Sequence, residues 1–371
     1  MRISFIADVH AGSPRRLGGQ VESGINWRGR LILHSLKLAV EKAKEESDVL
    51  VVCGDLFDSA RPEPQLVAAV QKILEGMQTI LLVGNHDRVS AAPGDHALGP
   101  LEPVATVVEQ PEVYDLDGTR LLCLPFRKEP AEEWFPVEMA KHFDVDVVAA
   151  HFGIVDLHTA LWLKDSPDAL RVTTAFAALG QMPFQKDRVC LFVGNWHEAS
   201  SWDGPRVSVC QVGALVPTGW DNPSSLGSSG PGDYTYGGFA VYDSGTRIFQ
   251  RWTIPGPRFR TASDVTGLRR LISGQMGLKD EPTFVRATVP PEQLSEAVGV
   301  VKEFDAADRV EVLADDTLSE VAARAAAYAA TSAETLDQAL EGYVSAMELP
   351  AGVLSSDVLQ RAKDFLRENR E

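Results

Sequence analysis

Cysteine is scarce in this chain. The 371 residues contain only Cys53, Cys123, Cys190 and Cys210, and no two form a Cys-x-x-Cys pair. That argues against a zinc knuckle or a disulfide framework, and the apolar or alternating runs around these cysteines read as buried, reduced thiols. Long apolar runs are missing too, and none approaches the roughly 20 residues a membrane-spanning helix needs. Met1-Arg2-Ile3-Ser4-Phe5 enters a strand-like run at once and leaves no room for a signal peptide, so a cytoplasmic protein with no membrane association is expected. Positive charge is also short: 35 Lys and Arg stand against 52 Asp and Glu, a net charge of −17. This argues against a broad nucleic-acid-binding surface. Nuclease chemistry survives the objection, because a metal pair can supply the local positive charge that a phosphate needs. Tight DNA binding would then call on a partner subunit or a local basic strip.

What is present is an ordinary globular composition, 44% hydrophobic and 23% charged, long enough for one large domain and one or two small ones. Up to about Pro255 strand-like and helical stretches alternate, the pattern of an α/β domain. Helical periodicity is expected over Leu31–Glu46 and Pro64–Met77. Arg206–Val212 and Gly238–Tyr242 alternate like half-exposed strands, and Thr246–Trp252 is expected to pair with the latter across Asp243-Ser244-Gly245. Asn222–Asp233 is rich in Gly, Ser and Pro and reads as a surface loop, either functional or a simple insertion. Pro255-Gly256-Pro257 marks a boundary, giving a first domain over 1–255. A compact strand–helix–strand unit follows in 256–331, with Thr283–Val289, Pro291–Phe304 and Arg309–Leu313 as its elements and an alanine-rich helix over Leu318–Ala330. Residues 332–371 hold two amphipathic helices, one with Leu336, Leu340, Tyr343 and Met347 in its apolar stripe and one with Leu359, Ala362 and Phe365. Their apolar faces are expected to pack on this chain or to dock on a partner.

Five chemically loaded segments stand directly after strand-like runs. Asp8-Val9-His10 follows Ile3–Ala7, Gly54-Asp55-Leu56-Phe57-Asp58 follows Val49–Cys53, and Gly84-Asn85-His86-Asp87 follows Thr79–Val83. His151 follows Val145–Ala150, and Gly194-Asn195-Trp196-His197 follows Val189–Val193. Ligands at the carboxyl ends of adjacent strands point into one crevice, where residues far apart in sequence meet around a metal. A carboxylate and an imidazole two residues apart on a strand end can chelate one ion. Mixed oxygen and imidazole donors suit manganese, iron or zinc better than calcium, and manganese is the preferred assignment. Two ions about 3.5–4 Å apart generate a nucleophile and clamp phosphoryl oxygens. In this reading Asp55 bridges the pair, His86 protonates the departing oxygen, Asp58 orients that imidazole, and Asp87 fixes the loop. His34, His96, His142 and His158 lack such context and are taken as surface or packing residues.

At these motifs the chain resembles the calcineurin-like metallophosphoesterase family, which implies a four-layer α/β sandwich of two packed mixed β-sheets flanked by helices. Gly54-Asp55-Leu56-Phe57-Asp58-Ser59-Ala60-Arg61-Pro62-Glu63-Pro64, followed by Gly84-Asn85-His86-Asp87-Arg88, is similar to the Mre11/SbcD nuclease subfamily. Val212-Gly213-Ala214-Leu215 stands in the place of that subfamily's Gly-Ser strand. The resemblance implies one metal held by Asp8, His10, Asp55 and His197, and another by Asp55, Asn85 and His151, with His86 catalytic. It also implies a small α/β capping domain after Pro257 that helps position DNA, and terminal helices that dock on a Rad50/SbcC-type SMC-like ATPase. The family's last motif is Gly-His-x-His, so Asn195 replaces a ligand of the second metal. An asparagine carbonyl still coordinates manganese, and a weakened second site is expected. Arg61 and Arg88 are candidate substrate contacts.

Three functions follow. The leading one is a manganese-dependent DNA exonuclease or endonuclease subunit working as a homodimer with an SMC-like ATPase in repair or recombination, with Leu31–Glu46 a candidate dimer helix. The second is a phosphodiesterase on nucleotides or other small esters. The third is a weakly active structural subunit of an ATPase complex, disabled at Asn195.

Overall fold

The computed structural model describes residues 1–90, 92–142, 144–157, 159, 166–181, 188–217, 219, 238–274, 277–278, 281–315, 344 and 355–368. The Gly/Ser/Pro-rich segment 222–233, the helices expected over 318–330 and 336–347, and His158 lie outside these residues, apart from Val344.

Twelve strands build two large sheets. In chain order they begin with β1 (Arg2–Ile6), β2 (Val49–Val52), β3 (Thr79–Leu82), β4 (Thr106–Val108), β5 (Glu112–Leu116) and β6 (Thr119–Leu124). They continue with β7 (Val147–His151), β8 (Val189–Gly194), β9 (Ser200–Asp203), β10 (Val207–Gln211), β11 (Phe239–Asp243) and β12 (Ile248–Trp252). One sheet has the order β12-β11-β1-β2-β3-β4 and the other β9-β10-β8-β7-β6-β5. Both have a parallel centre; the first is antiparallel at its β12-β11 edge and parallel at β4, and the second is antiparallel at both edges.

The period of two along each strand explains the layering. Ile3, Phe5 and Ala7, Val49, Val51 and Cys53, Val147 and Ala149, and Cys190 and Phe192 share one cluster between the sheets. Their neighbours Ile6, Leu50 and Val52 face the opposite side with Ile32, Leu36, Ala39 and Val40. Those last four belong to α1 (Trp27–Glu46), which lies beside α2 (Pro64–Leu74). Val148, Ala150, Leu191 and Val193 pack against α3 (Ala131–Lys141) and α4 (Val172–Gly180). The four layers are therefore helix, sheet, sheet, helix. Parallel strands covered on both faces read as continuous apolar runs, which is why the five site strands were visible in the sequence. At the centre the rings of Phe5 and Phe192 stack across the sheet–sheet interface, 3.9 Å between centroids and 2° from parallel. Such a pair adds about 0.5–1.5 kcal/mol beyond its burial.

Two expectations need correction. β10 and β11 were read as half-exposed, yet all of β10 and Phe239–Tyr242 are buried. The polar positions that suggested a wet face are satisfied internally: Ser208 takes a bond from Arg188 and donates to Asp203, both at 2.6 Å. α1 begins at Trp27 rather than Leu31, because the Asn26 side chain accepts from the Gly29 N–H at 2.8 Å and caps the helix four residues earlier. All four cysteines are free and buried between the sheets, where burial pushes the Cys190 and Cys210 thiols up to about 12.

Beyond Pro257 a separate sheet forms around β14 (Glu281–Val289), flanked in parallel by β13 (Arg258–Ala262) and β15 (Val310–Ala314). It carries α5 (Val265–Gly274) and α6 (Leu294–Glu303). β13 and α5 were not anticipated. Phe259 and Phe284 stack at 5.2 Å and meet Trp27 and Leu31 of α1. The buried Arg28 guanidinium lies 4.9 Å from the Phe259 centroid, and burial lowers its pKa to about 10. α7 (Ser355–Glu368) is the described part of the terminal helices.

Candidate metal centre

The loops after β1 and β2 are laced together. Asp8 N–H donates to Gly54 O at 3.2 Å, His10 N–H to Asp55 O at 3.0 Å, and Ala11 N–H to Leu56 O at 2.8 Å. The lacing bends the chain sharply, and Asp8, His10, Asp55 and Asn195 all have left-handed backbones, with φ of 49°, 47°, 50° and 89°. Each such non-glycine conformation costs on the order of 1–3 kcal/mol and persists only where its surroundings enforce it. Four of them on candidate ligands mark a site where backbone strain is spent on aiming side chains.

Those side chains converge. Asp8, His10 and His197 form one group of mutually close donor atoms, Asp8, Asp55 and His151 another, and His10, Asp55 and His86 a third. His10 Nε2 and His197 Nε2 face each other at 3.0 Å. His151 is buried and its Nδ1–H donates to Cys53 O at 2.7 Å, which fixes its tautomer. Its Nε2 faces two oxygens, Asn85 Oδ1 at 2.7 Å and Asp55 Oδ1 at 3.5 Å, to which the charged ring donates and with which the neutral ring would share a cation. Lone pairs and carboxylates aimed at one another in a buried crevice are the donor set of a divalent cation, with the outer hydrogen bond orienting the imidazole. The electrostatics agree. Burial raises the pKa of Asp8, with the neighbouring Asp55 adding to it. Burial also opposes a charged His151, but the Asp55 carboxylate outweighs it and pushes the ring up to about 9.

Gly54 makes the approach possible. At φ +89° it brings the backbone so close that a Cβ there would lie 2.1 Å from His151 Nδ1. Asp87 holds the third loop, its carboxylate accepting from Gly84 N–H and Phe57 N–H, both at 3.0 Å. Burial pushes its pKa up to about 6, with Asp55 contributing. His86 is exposed at the rim, and its Nδ1–H donates to the Asp58 backbone carbonyl at 3.1 Å. The Asp58 carboxylate lies instead 3.4 Å from His10 Nδ1. It is thus the Asp58 main chain that meets His86, while its side chain attends His10.

Arg61 is exposed on the loop beyond Asp58. Arg88 bonds Glu109 O at 2.9 Å and lines a cavity of about 460 Å³ with Gln110, Phe126, Arg127 and Lys128. Phe126 sets its ring edge to His151 at 6.2 Å, so this hollow, which Glu109 and Glu129 also line, adjoins the candidate ligand cluster. Asp168 was missed in the sequence. Its carboxylate accepts from the Asn195 amide, and no motif announces it. The signal lies only in the backbone, where Gly153 N–H donates to Asp168 O at 2.8 Å two residues past His151.

Residues 1–210, more than half of the chain, match calcineurin-like phosphoesterase. The chain belongs to that family. Its members are metal-dependent phosphoester hydrolases that bind two divalent ions, and the donor set above fits such a pair. Among curated relatives, this phosphoesterase is 33% identical over 93 residues to the DNA double-strand break repair protein Mre11 of Methanopyrus kandleri, covering 24% of this chain and 19% of that one. It is 30% identical over 96 residues to the Archaeoglobus fulgidus protein of the same name, covering 24% and 20%. The matched stretch is thus about a fifth of those relatives' length. Similar solved structures include a dimetal phosphatase from Danio rerio, at 13% identity and TM-score 0.39 over 58% of this chain and 88% of that one. The phosphopantetheinyl hydrolase of Mycobacterium tuberculosis is similar at 12% identity and TM-score 0.33, over 57% and 88%. Among the described residues no helix is long and apolar enough to cross a membrane.

Proposed function

We propose that this phosphoesterase is a manganese-dependent DNA nuclease of the Mre11/SbcD type, hydrolysing phosphodiesters as one subunit of an assembly with a Rad50/SbcC-type SMC-like ATPase. The observation that carries the hydrolytic part is the placement of His86. Its Nδ1 is tied to Asp58 O and the ring lies beside His10 and Asp55, so Nε2 is the nitrogen left to meet a substrate. A protonated ring so held can donate its Nε2 proton to the departing oxygen. Asp8, His10, Asp55 and His197 would hold one ion, and Asp55, Asn85, His151 and Asn195 the other. Bound there, the pair supplies Lewis-acid activation of water and neutralises phosphoryl charge.

Two features support a polymeric substrate. The hollow lined by Arg88, Arg127 and Lys128, with Glu109 and Glu129 beside them, carries a small excess of cations for phosphates flanking the scissile one. The partial identity to the Mre11 proteins favours the same substrate class. In this reading the 256–331 unit caps the DNA path through its contact with α1. The 332–371 helices dock on the ATPase, and the working form is a homodimer.

The test is incubation of the purified protein with manganese, with and without its ATPase, on single- and double-stranded DNA. Cleavage lost in His86→Ala supports the proposal, and no cleavage of either substrate overturns it. The net charge of −17 favours a second reading, a phosphodiesterase on nucleotides or small esters. Rapid turnover of bis-p-nitrophenyl phosphate or cyclic nucleotides without DNA cleavage would select it.

A further inference from the structure

The last motif holds Asn195 more tightly than a casual replacement would. Trp196 lies where a Cβ on Gly153 would be, 2.1 Å from its ring atoms, so it turns out of the crevice. Asn195 and His197 flank it. Asn195 N–H donates to both carboxylate oxygens of Asp8, at 2.9 and 3.0 Å. The preceding Gly194 is in register with His151. The Asn195 amide donates its Nδ2 to Asp168 Oδ2, and the other Asp168 oxygen accepts from Ser166 Oγ. The main chain of Asp168 is pinned in turn by Gly153.

An ionised carboxylate only accepts hydrogen bonds, so the amide must offer Asp168 its NH2. Its carbonyl oxygen is thereby turned the other way. We propose that Asp168 is a positioning residue that keeps the Asn195 carbonyl facing the Asp55–Asn85–His151 group. The second half of the metal pair is then the more oxygen-rich one, and it favours zinc over manganese by a smaller factor than the first half does. The inference rests on the two-metal reading above and adds an inequality to it. Asp8, Asp55, His10 and His197 offer two oxygens and two imidazoles. Asp55, Asn85, Asn195 and His151 offer three oxygens and one imidazole. Imidazole suits zinc, whereas carboxylate and carbonyl oxygens suit magnesium and manganese, so the two halves differ in preference.

The experiment is calorimetric titration of the metal-free full chain with manganese, magnesium or zinc. Bound stoichiometry is read by native mass spectrometry, and circular dichroism checks the fold. In unaltered protein the second equivalent is expected to favour zinc over manganese by a smaller factor than the first. Asp168→Ala should weaken the second manganese equivalent by about 10–100-fold and leave the first unchanged. Asp168→Asn, whose carbonyl still accepts from Asn195, should largely restore it. Asn195→His should widen the zinc-over-manganese ratio of the second equivalent without involving Asp168 at all, which keeps the idea testable if Asp168→Ala does not fold. Fewer than two ions on the unaltered protein overturns the two-metal reading and this inference together. Two ions with a second equivalent indifferent to Asp168→Ala, or a zinc-over-manganese ratio as large at the second equivalent as at the first, overturns this inference alone.

Discussion

Replacing Gly54 by alanine perturbs the centre through one methyl group. The residue has φ +89°, and an added Cβ would stand 2.1 Å from His151 Nδ1 and 2.5 Å from its Cγ. A left-handed backbone costs alanine roughly 1–2 kcal/mol. An ordinary contact needs about 3.5 Å, so the buried ring must also retreat by more than an ångström. That retreat opens the 2.7 Å hydrogen bond from Nδ1 to Cys53 O. Leaving a buried partner unsatisfied costs about 1–3 kcal/mol. Gly54→Ala should therefore lose about 2–5 kcal/mol, a large share of the roughly 5–15 kcal/mol available to a domain. Because His151 faces Asn85 and Asp55, the second metal equivalent should vanish while the first persists. Urea unfolding of the metal-free protein measures the first effect, and manganese titration the second. A variant within about 1 kcal/mol of the parent that still binds two ions would refute the close approach and the role given to His151.

Three further outcomes are expected. His86→Ala should leave fold and ion binding intact and slow hydrolysis of an alkyl phosphodiester by about 10²–10⁴-fold, with little effect on an activated aryl ester that needs no proton; steady-state kinetics on both esters decides. Manganese at 100 times its Kd should stabilise the protein by about 2.7 kcal/mol, seen as a melting temperature roughly 5–10 °C higher than in chelator, and equal melting with and without manganese would contradict the donor assignment. Phe284→Ala removes a buried ring between the β13–β15 sheet and α1 and should cost about 3–5 kcal/mol, with hydrogen exchange rising in β13 and β14 before it rises in β1 or β8.

The legible parts of this molecule are those where one physical cause dominates. β1, β2, β3, β7 and β8 are apolar on both faces, so each announced itself as a run ending in a polar ligand. Their meeting in one crevice followed from parallel strands sharing a carboxyl edge. β10 and β11 misled because Ser208 looks wet in sequence, although it is buried and bonds Arg188 and Asp203 at the sheet's edge. Asp58 misled because chain proximity to Asp55 says which loop it occupies, but not whether its main chain or its side chain meets His86. Asp168 was invisible for a related reason. It reaches the centre through backbone pairing with Gly153, and a backbone hydrogen bond leaves no residue signature. β13 was hidden by its composition: Arg258-Phe259-Arg260-Thr261-Ala262 alternates beside a proline-rich boundary and contributes a single large apolar ring.

The stacked rings of Phe5 and Phe192 carry a consequence for the chemistry above them. Each stands three residues before a residue of the centre, Phe5 before Asp8 and Phe192 before Asn195. One ring belongs to each sheet, so their combined thickness sets the aperture across which the two sheets share their ions. A slimmer pair would let the sheets settle closer, and a bulkier one would wedge them apart. The gauge of the reactive gap is thus held by two hydrocarbon side chains that never touch solvent, substrate or metal.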